Sequence, residues 1–345
     1  MRVGALLAST IRKLGALKDI NSEQEALDIV SAVISKPPSW LYTHGDEIVN
    51  VRDSARVNSI LSRRLNGEPL AYILGKMVFG DLTLAINRSV LIPRPATETL
   101  INTAQKYIAL NHMGLKTPHS CHCERPLRER GNLGETGDCF APLGLAMTNA
   151  IHIIEVGTGS GVIAVSLALF CRRQIVASKI LATDISPAAV AVARRNITRY
   201  NLGTTINTRR ADLLAAIKKP ADIIVANLPY LSPKEAKGLA DPRLALVGGQ
   251  KGYEMIVELL TQIKHRQLLT PRGAIILEIG HSQAGSITRQ AKILFPGARV
   301  RVTKDFEDWP RVLIIQTALF PLCKYPKIDS WEAFFNQKGH LRGVL

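Results

Sequence analysis

Four residues, Asn227-Leu228-Pro229-Tyr230, follow the apolar run 221–226 and carry the sharpest chemical signal in the chain. An asparagine side-chain oxygen beside a backbone carbonyl can hold the two N–H bonds of a planar amino group. The nitrogen lone pair is then left facing a reaction partner, and the Tyr230 ring would form a flat apolar wall. Asn-Pro-type turns are common, so these residues by themselves describe only a turn. The reaction partner is indicated by 153–164, Ile-Ile-Glu-Val-Gly-Thr-Gly-Ser-Gly-Val-Ile-Ala. Glycines at 157, 159 and 161 let the backbone turn tightly and approach a ligand where any Cβ would clash. The G-x-G-x-G spacing differs from the G-x-G-x-x-G of dinucleotide folds and is weak evidence alone. Asp184 closes the next apolar run, 23 residues beyond Gly161. A carboxylate there can accept both hydroxyl hydrogens of an adenosine ribose, although Asp-Ile-Ser-Pro equally suits a helix cap. Asp212, opening Asp-Leu-Leu, could accept from an adenine amino group or be a plain turn aspartate. In the fourth candidate strand segment after a G-x-G-x-G loop and a ribose-type aspartate, Asn227-Leu228-Pro229-Tyr230 favours an enzyme holding a nucleoside cofactor against an amino-group acceptor.

Positioning those residues calls for strands that end at one edge. Candidate strands lie at 151–156, 180–183, 206–210, 221–226, 274–279, 298–303 and 312–317, with helical stretches between most of them. That alternation implies an α/β sheet covered on both faces. The pattern leaves the direction of the last strands open. The first 75 residues read instead as helices. Leu6, Leu7, Ile11 and Leu14 suit the inner face of a first helix. Ser22 with Glu25 makes a capping box ahead of Ala26, Ile29, Val30, Val33 and Ile34, and Pro37-Pro38 stops that helix. Val57, Ile60, Leu61 and Leu65 face inward on a later helix that ends at Asn66-Gly67. From 79 to 92 the pattern turns to short β segments, with Leu82, Leu84 and Ile86 inward. Two prolines in Leu91-Ile92-Pro93-Arg94-Pro95 then bar helix until Thr97. The expected division is a helical region 1–75, a connecting hairpin and linker 76–96, and an α/β region 97–345 interrupted by an insertion at 112–149.

Composition narrows the class. The chain has 345 residues, 46% of them apolar, and 44 Lys+Arg against 28 Asp+Glu, for a net charge of +16. One large or two ordinary domains fit, with ample chain for a core. Wholesale disorder is excluded by the apolar fraction, and no run approaches the 18 apolar residues of a membrane span. Five cysteines are too few for a disulfide scaffold, so a soluble intracellular protein is expected. Residues 170–220 hold ten basic side chains against Asp184 and Asp212. Such a face attracts polyanions or acidic proteins, or is simply solvated. Met1 to Lys18 is basic without an acid, as in a mitochondrial transit segment, yet its apolar spacing reads better as a helix. Cys121, Cys123, His119 and His122 invite a zinc reading, but no second ligand pair accompanies them, so no metal is expected and 112–149 reads as an exposed insertion.

The sequence resembles the HemK/PrmC class of peptide chain release factor glutamine N5-methyltransferases. The resemblance covers nearly the whole chain. It runs through 67–75, Gly-Glu-Pro-Leu-Ala-Tyr-Ile-Leu-Gly, then Phe79 and 91–98, Leu-Ile-Pro-Arg-Pro-Ala-Thr-Glu. It continues through the glycine loop, Asp184, the Asn227 motif and 277–283, Leu-Glu-Ile-Gly-His-Ser-Gln. Segment 92–98 is characteristic of this family rather than of methyltransferases at large. The resemblance implies a small helical substrate-recognition domain, a β-hairpin and a seven-stranded class I (Rossmann-like) S-adenosylmethionine-dependent methyltransferase domain. It implies cofactor contacts from Glu155, Gly157, Thr158, Gly159, Ser160, Gly161, Asp184, Asp212, Leu213 and Asn227. Asn227, Leu228, Pro229 and Tyr230 would hold the acceptor, with Arg94 and Glu98 either lining the entrance or forming an interdomain ion pair. The implied target is the glutamine of the Gly-Gly-Gln loop of a class-1 peptide chain release factor, a step in translation termination. The chain's own Gly248-Gly249-Gln250 is read as coincidence. A monomer without a stable nucleic-acid or membrane partner is expected, cytoplasmic in a bacterium, the alternative being the mitochondrial matrix. Two departures stand out. Leu228 replaces the proline of the family's Asn-Pro-Pro-Tyr, keeping the backbone carbonyl but losing a locked φ, and insertion 112–149 is unusual. The alternative reading is an exocyclic-amine methyltransferase acting on flipped DNA or RNA bases. A third is a silent binding module with a clamp weakened by Leu228.

Overall fold

The computed structural model describes residues 1–18, 20–112 and 150–317, so the Cys121/Cys123 segment lies outside the described residues. The chain opens with helices α1 (Val3–Leu14), α2 (Ser22–Ile34), α3 (Pro38–Thr43), α4 (Val51–Leu65) and α5 (Leu70–Leu74). Leu6, Leu14, Ile29, Val30, Val57 and Leu61 close into a hydrophobic cluster of their own, and Leu7, Ile11, Ile34 and Ile60 pack against it. Two local readings need correction. The cap of α2 is Asn21, whose side chain accepts from the Gln24 amide at 3.0 Å. Glu25 therefore sits one residue too far along for a capping box, and it pairs with Arg64 of α4 at 2.8 Å instead. Leu65 is 39% exposed. Steps of four residues drift by roughly 40° each on a helix, so the row that starts at Val57 has rotated off the core by Leu65.

An antiparallel hairpin follows, β1 (Lys76–Phe79) and β2 (Leu82–Ala85), burying Leu82, Leu84 and Ile86. Helix α6 (Ala96–His112) begins right after the proline-stiffened linker. The remaining elements are β3 (Ile151–Val156), α7 (Val162–Arg173), β4 (Ser178–Asp184), α8 (Pro187–Arg199), β5 (Ile206–Arg210) and β6 (Ala221–Ala226). After them come α9 (Arg243–Leu246), α10 (Glu254–His265), β7 (Leu269–Glu278), a 3₁₀ turn (His281–Gln283), α11 (Ala284–Leu294), β8 (Arg299–Lys304) and β9 (Pro310–Gln316). Seven strands form one sheet in the order β5-β4-β3-β6-β7-β9-β8. The first five are mutually parallel, and β9 runs antiparallel to both β7 and β8.

Both faces are covered. Leu100, Ala104, Leu167, Ala193 and the hairpin residue Leu84 pack on one side; Ile256, Leu259, Leu260 and Ile287 pack on the other. Burial on two faces explains why the central strands read as continuous apolar runs. Strand order reverses between β3 and β6, where an open α/β sheet leaves a crevice at its carboxyl edge. No helix among the described residues is long and apolar enough to cross a membrane.

Candidate active site

A cavity of about 300 Å³ lies at that carboxyl edge. Its walls come from the loops after β3, β4, β5 and β6, from linker residues Leu91 and Pro93, and from Thr97 in the first turn of α6. Loop residues Gly157, Thr158, Gly159 and Ser160 line it, as do Asp184, Asp212, Leu213, Asn227, Leu228 and Pro229. The glycine loop is shaped by close approach. Gly157 has φ 74°, and a Cβ there would lie 3.1 Å from Leu228 Cδ2. Leu228 is buried, so its side chain forms the floor against which the glycine turn is pressed. Gly161, at φ 83°, starts α7 and lies outside the cavity wall.

The carboxylates behave differently. Asp184 Oδ2 accepts from the Gly159 amide and Oδ1 from the Ser186 amide, each at 2.9 Å. Ser186, not Asp184, is the side-chain cap of α8. Each Asp184 oxygen keeps a second lone pair for a hydroxyl donor. Burial raises its pKa, an effect opposed by those backbone amides. Asp212 is exposed at the cavity mouth. Glu155 is fully buried at the end of β3 and stands behind the cavity wall. Its Oε2 accepts from Thr158 Oγ1 at 2.6 Å, while Oε1 has no hydrogen-bond partner among the described residues. Burial pushes this carboxyl up to about 8, against the pull of the Thr158 hydroxyl.

Asn227 donates through Nδ2 to Thr97 Oγ1 at 3.1 Å, and Thr97 Oγ1 donates to Glu278 Oε2 at 3.0 Å. The Tyr230 hydroxyl donates to Glu278 Oε1 at 3.3 Å. Tyr230 therefore does not supply the expected wall: its ring packs into the core beside the cavity and is absent from the lining. Burial pushes the tyrosine up to about 12, helped by the Glu278 charge. Glu98 is a second correction. It lines a different cavity, between the hairpin and α6, because the helical turn that points Thr97 inward swings its neighbour about 100° away. Arg94 is exposed outside the cavity at the carboxyl edge and pairs with Asp241, not with Glu98.

Asp241 had no sequence signal beyond an ordinary Asp-Pro turn. It is buried, and it also accepts from Tyr72 Oη at 2.8 Å and from the Ile92 amide at 3.1 Å. One carboxylate thus ties α5 and the linker to the loop before α9. Asn196 of α8 acts similarly, donating to the Ser160 and Ala85 carbonyls at 2.8 and 3.0 Å and accepting from the Ala85 amide at 2.7 Å. Glycine loop and hairpin are clamped by one buried side chain. Gly248 has a structural reason too. A Cβ there would overlap the Pro229 and Gly252 carbonyl oxygens, so this loop can cross directly behind the Asn227 turn only as glycine. Gln283 secures the same crossing by donating to the Tyr230 carbonyl at 2.6 Å.

Residues 5–75 match the PrmC N-terminal domain family, and residues 131–229 match the ribosomal protein L11 methyltransferase (PrmA) family. The release factor glutamine methyltransferase of Bordetella pertussis is 32% identical over 270 residues, covering 75% of this chain and 82% of that protein. The chain belongs to the release factor glutamine methyltransferase family. A second member, from Koribacter versatilis, is 29% identical over 284 residues, covering 80% of this chain and 84% of its own. The bifunctional methyltransferase of Rickettsia felis is 30% identical over 320 residues, which are 90% of this chain and 57% of that protein. Against the Rickettsia proteins the chain thus spans about half their length. The crystallised methyltransferase of Pyrococcus furiosus overlays 76% of this chain and all of its own at a TM-score of 0.44 and 18% identity. The fold is the seven-stranded class I (Rossmann-like) methyltransferase fold, preceded by a helical region. Within the family pattern Leu228 keeps the floor of the cavity apolar, while Thr97 and Glu278, which fall inside segments that carry the resemblance, are joined to Asn227 only in three dimensions.

Proposed function

We propose that the protein uses S-adenosylmethionine to methylate the side-chain amide nitrogen of the glutamine in the Gly-Gly-Gln loop of a class-1 peptide chain release factor. The observation that carries this reading is the single cavity shared by the Asn227 carboxamide, the glycine loop and Asp184. Bound there, the cofactor would supply an electrophilic methyl group on a sulfonium. The residues present fit it. Asp184 and Asp212 offer acceptors for hydroxyl and amino hydrogens, and the glycine turn leaves room for backbone approach.

An amide nitrogen is a poor nucleophile because its lone pair is delocalised. Asn227 Oδ1 and the Leu228 carbonyl accept the two N–H bonds of the glutamine amide and orient the nitrogen for in-line attack. They also stabilise the positive charge that grows there as the nitrogen gains the methyl carbon. The extra proton leaves afterwards to solvent, so no strong base is needed before transfer. Asn227→Ala should lower kcat by about 10²- to 10³-fold, the usual scale for one preorganised polar contact, while cofactor binding persists. Mass spectrometry of a release factor before and after incubation checks this. Unchanged turnover refutes the role of Asn227. Label appearing in nucleic acid and not in the release factor refutes the substrate.

A further inference from the structure

Glu278 is buried at the end of β7, stands behind the cavity wall and takes no part in the transfer just described. We propose that it is a positioning residue that sets, through Thr97, the direction in which the Asn227 carboxamide faces; the inference rests on the functional reading above. Three groups from three elements make one chain of donors: Asn227 Nδ2 to Thr97 Oγ1, and Thr97 Oγ1 to Glu278 Oε2. Tyr230 Oη occupies the other carboxylate oxygen. A hydroxyl has one hydrogen and an ionised carboxylate has none. With Glu278 ionised, Thr97 must give its hydrogen to Glu278 and can only accept from Asn227. The carboxamide is then held with its NH₂ end toward Thr97, and Oδ1 is free to accept from the substrate amide.

A proton on Glu278 reverses the polarity. The acid O–H would donate to Thr97, the Thr97 hydrogen would turn toward Asn227, and Oδ1 would swing in to accept it. The NH₂ end would then meet the NH₂ of the glutamine, donor against donor. Both Glu278 oxygens are engaged by hydroxyls, Thr97 Oγ1 and Tyr230 Oη, and the carboxylate itself lies outside the cavity, which separates this role from that of a general base. The surroundings give the switch a midpoint. Burial lifts the Glu278 carboxyl to about 7, while the Thr97 hydroxyl, the Arg311 charge, the Tyr230 hydroxyl and the Asn227 amide all pull it down. Arg311 reaches it from β9 and is itself paired with Asp305 at 2.8 Å. Tyr230 comes from the turn after β6 and Thr97, uncharged, from α6.

The test uses the full chain with a release factor, plus selective ¹⁵N labelling of asparagine read by NMR. Wild-type kcat should rise with pH through about 7, and the Asn227 side-chain NH₂ signals should shift over the same range. Glu278→Gln keeps the shape and removes the buried charge, so the variant folds. Its kcat should fall by about 10²- to 10³-fold, lose the pH step, and show Asn227 signals that no longer move. Affinity for S-adenosylhomocysteine should stay unchanged. Thr97→Ser should retain activity and Thr97→Val should lose it. A Glu278→Gln enzyme with wild-type kcat and pH profile, or Asn227 signals indifferent to pH in an active wild type, overturns the inference and leaves the substrate reading intact. Asn227 signals that titrate in a wild type unable to methylate any release factor would leave the orienting role standing and sink the substrate reading.

Discussion

Among the described helical residues of the first 75, Thr10 is fully buried and donates to the Leu6 carbonyl at 2.8 Å, while the Ser54 hydroxyl oxygen on α4 is buried without a hydrogen-bond partner among the described residues. At the carboxyl edge of the sheet the buried set includes Glu155, Glu278, Thr97, Thr158, Thr183 and Asp241. The helical region holds together by excluding water from aliphatic side chains, which is forgiving of detail. The sheet edge keeps carboxylates in a place where each must find donors or stay protonated. Such burial lowers stability, and its return is a set of groups whose direction and charge are already decided before a substrate arrives. One region resists unfolding; the other is built to orient.

Four substitutions probe that difference, in order of expected effect. Ile29→Ala, at a fully buried position in the helical cluster, should cost about 2–5 kcal/mol in urea unfolding, with cofactor affinity unchanged in the molecules that remain folded. A loss too small to resolve would mean that the helices are not held by this core. Gly248→Ala should cost about 1–3 kcal/mol by overpacking, and because the overlap falls on the Pro229 carbonyl, kcat should fall with it. Normal turnover would show that the Asn227 turn does not depend on the loop behind it. Tyr72→Phe removes one hydroxyl from Asp241 and should cost about 1 kcal/mol, measured as a small drop in Tm.

The smallest effect at acidic pH belongs to Glu155→Gln. The Glu155 carboxyl is lifted from 4.5 to about 8, so the folded state binds its proton more tightly than the unfolded chain does. Its contribution to stability is fully present below about 4.5 and is lost as pH rises through about 8. Wild type should therefore weaken between those values, and Glu155→Gln should weaken less. Parallel stability curves for the two proteins across that range would contradict the burial of an acid at the end of β3.

Much of this arrangement was legible residue by residue. Strands β3 and β6 begin and end where their largely apolar runs do, since a strand buried on both faces carries few polar residues to blur its limits. The glycine loop and Asn227 were readable because each sits directly after such a strand, and Asp184 because it closes β4; that register alone sends them to one edge. Where two local signals competed, the nearer one was not always right: Asn21 caps α2 ahead of Ser22, and Glu25 is drawn across to Arg64.

What the amino-acid order determined by itself was local: periodicity, stops, and which residue types follow which strand. Direction and partnership came only with the tertiary structure. Nothing near β9 in sequence says that it inserts antiparallel between β7 and β8. Nothing near Arg94 points to Asp241, 147 residues away, nor near Thr97 to Glu278, 181 residues away. A buried carboxylate takes whichever donors the packed chain brings within about 3 Å, and that set exists only after helices and sheet have closed around it.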